Sequence, residues 1–175
     1  LFPYTTLFRS SEAVFPSIKP HAMNASYLAP VCLFVFNRLD HTRRTIEALQ
    51  DNVLADRTEL YVFSDGPRNV DDVKDIDDVR GYLRTITGFK SVKIVERKTN
   101  MSLAGNIIDG VTAIVNEFGS VIVLEDDLVT SSFFLQFMND ALHKYRSNEN
   151  VWHISGWNYP IDMNIKEHIF FWRTM

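Results

Sequence analysis

Residues 121–137, VIVLEDDLVTSSFFLQF, decide how the rest of the chain is read. Val121, Ile122, Val123 and Leu124 form an unbroken aliphatic run. Such a run predicts a strand buried on both faces, since a strand with one wet face would alternate. Glu125, Asp126 and Asp127 follow at once. Residues 131–145 then take helical spacing with an aromatic face, and Phe133, Phe134 and Phe137 are expected in the core. A buried strand that ends in charge and turns into a helix is the repeating unit of an open α/β sheet.

The same alternation extends upstream. Residues 31–36 (VCLFVF) predict another doubly buried strand, followed by Asn37, Arg38 and Asp40 and a helix over 42–49. Residues 59–64 (ELYVFS) predict a strand stopped by Asp65-Gly66-Pro67-Arg68. A helix over 70–87 spaces Val73, Ile76, Val79, Leu83 and Ile86 along one side, and its acids Asp71, Asp72, Asp75, Asp77 and Asp78 read as a solvated face. A strand at 92–95 leads to a helix at 103–118 with Ile107, Ile108, Val111, Ile114 and Val115 apolar, closed by Gly119 as a C-terminal cap. Downstream, 151–155 predict a short strand before Gly156, Trp157 and Asn158. The fold class that follows is α/β, a mostly parallel sheet with helices on both faces.

In such sheets ligands gather at the carboxyl ends of strands. Asn37, Arg38, Asp65, Asn100, the acidic triplet, Trp157 and Asn158 all fall there. Three adjacent carboxylates need cationic or aqueous partners, because an unpaired buried charge costs several kcal/mol. Oxygen-only ligands at a strand end suit Mg²⁺ or Mn²⁺ rather than zinc. Plainer readings stand beside these: an acidic turn capping the next helix, Asp65 as a turn former, Arg38 paired with Asp40, Asn100 as an ordinary loop residue, and Trp157 as core packing.

At 175 residues, 46% hydrophobic and 23% charged with a net charge of −4, the chain is sized for one packed domain. The acidic balance argues against broad capture of nucleic acid. A single cysteine, Cys32, cannot form an internal bridge, and no apolar run reaches the roughly 18 residues of a membrane span. Residues 1–11 (LFPYTTLFRSS) follow neither helical nor strand periodicity, so residues 1–23 read as a non-native or disordered leader, with Met23 as a start. Residues 168–175 (HIFFWRTM) read as a last strand with no partner after it, as in a fragment.

Taken together, the motifs resemble GT-A glycosyltransferases. VIVLEDDLVTSSFFLQF is similar to their DxD-type metal motif, in the Glu-Asp-Asp form of the animal Golgi β-1,2-N-acetylglucosaminyltransferases and bacterial family-2-like relatives. VFNR (35–38), VFSDG (62–66), NMSLAGNI (100–107) and SGWN (155–158) resemble further family segments in the same order, and the resemblance covers residues 28–175. It implies a Rossmann-like nucleotide-diphospho-sugar transferase domain whose acceptor half is incomplete. It also implies that Asp127 coordinates Mn²⁺ or Mg²⁺ on the donor diphosphate. Glu125 and Asp126 would contact ribose and sugar or orient the metal's waters, Asp65 the nucleobase, and Arg38 the base or phosphate side. Asn100 would stand in the donor site, and Trp157 and Asn158 on the acceptor side.

The implied partners are a UDP- or GDP-sugar and a glycan or lipid-linked acceptor. The implied setting is bacterial polysaccharide biosynthesis, in the cytoplasm or against the inner membrane. Two positions depart from the family: Asn37 stands where many relatives carry an acid, and Ser102 where bacterial relatives often have Gly. The catalytic base has no match, since Asp162 and Glu167 fit its position poorly, and it is expected beyond Met175. A chain cut there is expected to show little transferase activity. Two alternatives stay open, a non-catalytic nucleotide- or sugar-binding module and a haloacid-dehalogenase-type phosphatase, although the latter needs Asp where Glu125 stands.

Overall fold

The computed structural model describes residues 5–8, by backbone alone, and residues 28–156. Its strands are β1 (Thr5–Phe8), β2 (Val31–Val35), β3 (Glu59–Ser64), β4 (Ser91–Glu96), β5 (Ser120–Glu125) and β6 (His153–Ser155). Its α-helices are α1 (Leu39–Gln50), α2 (Asp71–Leu83), α3 (Ser102–Phe118) and α4 (Phe134–Tyr145), with a 3₁₀ turn at Ala55–Arg57. Trp157, Asn158, Asp162, Glu167 and the strand expected over 168–175 lie outside the described residues.

The sheet runs in the order β4-β3-β2-β5-β1-β6. Four consecutive strands of it, β4, β3, β2 and β5, are parallel, as expected for an α/β fold. β1 pairs antiparallel with both β5 and β6. Residues 5–8 therefore form a strand within a stretch that shows no periodicity in sequence. Four residues are too few to carry a period, and their strand state comes from backbone pairing on β5.

Side-chain alternation divides the core in two. Val31, Leu33 and Val35 face one way, with Leu60, Val62, Ile122 and Leu124, and are covered by Ile46 and Leu49 of α1, Val79 and Leu83 of α2, and Leu135 and Met138 of α4. Cys32 and Phe34 face the other way, with Tyr61, Phe63, Val121 and Val123, under Val111 and Ile114 of α3. Helices thus cover both faces. This is why β2, β3 and β5 carry apolar residues at consecutive positions. Leu33 has no exposed surface, and truncating a side chain so placed to Ala costs roughly 2–5 kcal/mol.

Three expectations about burial fail. Phe134 is buried, but Phe133 and Phe137 are 64% and 41% exposed. The helix begins at Phe134, so Phe133 only caps it, and the inward stripe runs through Phe134, Leu135, Met138, Ala141 and Leu142. Ile108 and Val73 are exposed, each on the outward side of its helix. Asp72 is buried, unlike the other acids of α2. Gly119 ends α3 as expected, with φ 81° and its N–H donated to Val115 O at 2.8 Å. That left-handed conformation favours glycine.

Candidate nucleotide-sugar site

The chain moves outward from β2 to β3 to β4, then returns through α3 to place β5 on the other side of β2. The strand order therefore reverses between β2 and β5, and in open α/β sheets the crevice at such a reversal is where ligands bind. The register Phe34↔Glu125 sets the end of β2 beside the acidic triplet. A cavity of about 410 Å³ opens at this edge. Arg38, Asp65, Asn100, Glu125 and Asp126, singled out in sequence, all line it. Asp127 does not; it borders a neighbouring hollow with His41 and Arg44.

Arg38 pairs with the triplet, not with Asp40. One terminal nitrogen donates to Asp126 Oδ1 in a close ion pair and to Asp127 Oδ2 at 3.2 Å. Asp126 is buried, and its backbone carbonyl accepts from Thr45 Oγ1 of α1 at 2.9 Å. Burial pushes its carboxyl up, while hydrogen bonds from Arg38 and the Phe36 backbone N–H pull it back down. Glu125 is half-buried, and no hydrogen bond or ion pair holds it among the described residues. Its carboxyl is pushed up by burial first and then by the charges of Asp127 and Asp126. One guanidinium thus serves three carboxylates, and it belongs chiefly to Asp126.

The opposite wall is built differently. Asp65 is 5% exposed. Its Oδ1 accepts the N–H groups of Gly66 at 2.8 Å and Met101 at 2.9 Å, and its Oδ2 accepts Asn100 Nδ2 at 3.0 Å. Asn100 also donates to Gly66 O at 2.9 Å and accepts Ser102 N–H at 3.0 Å. The carboxylate that ends β3 therefore ties down the loop leading into α3. Gly66 is needed for the same closure, since a Cβ there would lie 2.4 Å from the Thr99 carbonyl carbon. Arg80 of α2 braces the arrangement from behind, donating to Ser64 Oγ, Asp65 O and Arg97 O at 2.8 to 3.2 Å.

The two positions set apart in the sequence, Asn37 and Ser102, each have a local explanation. Asn37 donates to Asp72 Oδ1 at 3.1 Å, so an acid does stand at this place but comes from α2. Ser102 has φ 63°, the left-handed region that glycine occupies without cost.

Sequence reasoning missed Phe36, Arg68, Ser102, Leu103 and Asn106 as cavity residues. Arg68 donates to Asp72 through its backbone N–H, Nε and Nη2 at 3.1, 2.9 and 2.8 Å, and this pairing holds the Asp72 carboxyl down to about 2. The i, i+4 spacing of Arg68 and Asp72 was the available signal. Asn106 is buried against Phe63 O and Arg97 Nε and could be located only by the fold.

No family model matches the chain, and no curated protein matches it. Among solved structures, S. aureus TarS, a glycosyltransferase, is similar over 67% of this chain and 20% of its own, at 13% identity and a TM-score of 0.46. The chain thus spans about a fifth of the length of that protein. Among the described residues, no helix is long and apolar enough to cross a membrane.

Proposed function

We propose that the chain is the donor-binding part of a metal-dependent glycosyltransferase that takes a UDP- or GDP-sugar and a glycan or lipid-linked acceptor. The observation that carries this reading is the pair Glu125 and Asp127. With Asp126 they share the guanidinium of Arg38, which belongs chiefly to Asp126, at the edge where the strand order reverses. Excess negative charge there is matched to a divalent cation rather than to an anion alone. Among the described residues no group of three or more His, Cys, Asp or Glu could hold a metal. The cation of this reading is held by one or two carboxylates, with its other positions left to phosphate oxygens and water, as Mg²⁺ commonly is.

Asp127, one-third exposed at its side chain, is the ligand in this reading, and Glu125 orients the water or sugar beside it. A cation so held neutralises the charge that grows on the departing nucleoside diphosphate. Arg38 pairs with Asp126 beneath, and Thr45 holds the backbone carbonyl of Asp126. The first two turns of α3 border the cavity through Ser102, Leu103 and Asn106, and the positive end of that helix favours phosphate. Asp65 and Asn100 shape the site by holding the loop. Trp157 and Asn158 are assigned to the acceptor side, and the base that takes the acceptor proton is left unassigned.

Calorimetry with UDP and GDP, with and without Mn²⁺, tests the reading. The expected result is Mn²⁺-dependent binding that Asp127→Ala removes. Binding unchanged by that substitution would overturn the metal assignment. Absence of any nucleotide binding by the wild-type chain would overturn the whole reading.

A further inference from the structure

The family resemblance sets Asp65 toward the nucleobase and Asn100 in the donor site, yet nearly all their hydrogen-bonding capacity is spent inside the protein. Asn100 uses both amide hydrogens and its oxygen, and Asp65 uses three of about four acceptor sites. Little is left on that wall to read a base edge. What the wall does offer is a flat surface. The Arg68 guanidinium carbon lies over the Phe36 ring, 4.9 Å from its centre, and both residues line the cavity.

Arg68 is unusually well fixed for a surface arginine. Its side chain is 60% exposed, yet Asp72 holds it by Nε and Nη2, and Asp72 is itself buried and held by Asn37. The planar group therefore keeps its orientation over the ring, with much of its surface left to solvent. Unpaired bases stack on aromatic rings and arginine planes alike, and they do so without needing base-edge hydrogen bonds.

We propose that Arg68, laid over Phe36 and locked by Asp72, is the platform on which the nucleobase of the donor stacks. The proposal rests on the nucleotide-sugar reading above and adds a residue that determines affinity for the base. It makes base recognition tolerant: the diphosphate and its cation set position, and the stacked face supplies affinity.

The test compares two ligands in the presence of Mn²⁺, UDP and inorganic pyrophosphate, which share the diphosphate but not the base. Arg68→Lys keeps the charge and a partner for Asp72 but removes the plane. It is expected to weaken UDP roughly tenfold and to leave pyrophosphate unchanged. Phe36→Leu, which leaves the Arg68–Asp72 pair in place, is expected to produce the same selective loss, and it decides the matter if Arg68→Lys does not fold. Equal weakening of both ligands would make Arg68 a phosphate contact and overturn the proposal, as would unchanged UDP binding. These failures leave the nucleotide reading standing, whereas a wild-type chain that binds neither ligand overturns both.

Discussion

The two walls of the cavity treat their carboxylates in opposite ways. On the β3 wall Asp65 and Asp72 are buried and saturated, each holding two or more donors from residues that would otherwise wander. On the β5 wall three adjacent carboxylates share one guanidinium, and burial and mutual repulsion push Glu125 up. A wall whose carboxylates are saturated is a scaffold, since those carboxylates gain nothing by meeting a cation. An under-compensated wall gains from any cation that arrives. The difference separates residues that shape the site from residues that await something in it.

The largest expected effect breaks the scaffold. Gly66→Ala drives a Cβ into the Thr99 backbone, and backbone cannot yield as a side-chain tip can. The loss is expected to be about 3 kcal/mol, read by urea denaturation. A loss below about 1 kcal/mol would mean that the loop is not clamped as described. Next comes Arg38, the cation paired with the triplet on the opposite wall. Arg38→Met leaves Asp126 buried without its counter-charge. Because the Arg38 side chain is 44% exposed, the cost is set near the low end for a broken buried pair, about 2 kcal/mol. Asp126→Asn added to it should recover much of that loss. Additive losses would show that the two residues do not act as a pair.

Strand and helix identities were legible because periodicity is a property of consecutive residues. The runs at 31–36 and 121–124 announced doubly buried strands, and the topology then brought five of the named polar residues to one cavity. What could not be read depends on partners distant in sequence. Asp72 looked like one acid among five on a wet helix, but Arg68 and Asn37 remove it from solvent. Phe133 and Phe137 looked like core because the aromatic run gives no phase, and a helix starting at Phe134 leaves both outside. Arg38 stood two residues from Asp40 in sequence, and only the pairing of β2 with β5 put it on the triplet. Asp65 was legible as a site residue, but not as one that spends its carboxylate on the loop before α3.

The smallest effect is the most informative about the under-compensated wall, because its sign is the opposite of the usual one. A carboxyl raised in the folded state binds protons more tightly there than in the unfolded chain. Stability therefore falls as pH rises from the ordinary Glu value through the raised one. Glu125→Gln removes that penalty, so at pH 7 the variant is expected to melt higher by roughly 1–3 °C and at pH 3 to match the wild type. Asp72 behaves in the opposite sense. Its carboxyl is held down to about 2, so the stability it contributes is present above the ordinary Asp value and is lost as pH falls through about 2. Acid should thus loosen the saturated wall while relieving the other, and Asp72→Asn should flatten the acid limb of the melting profile without altering the neutral limb that Glu125→Gln changes. If Glu125→Gln instead lowers the melting temperature at pH 7, Glu125 has a partner of its own. The wall would then be a second scaffold with nothing to attract a cation.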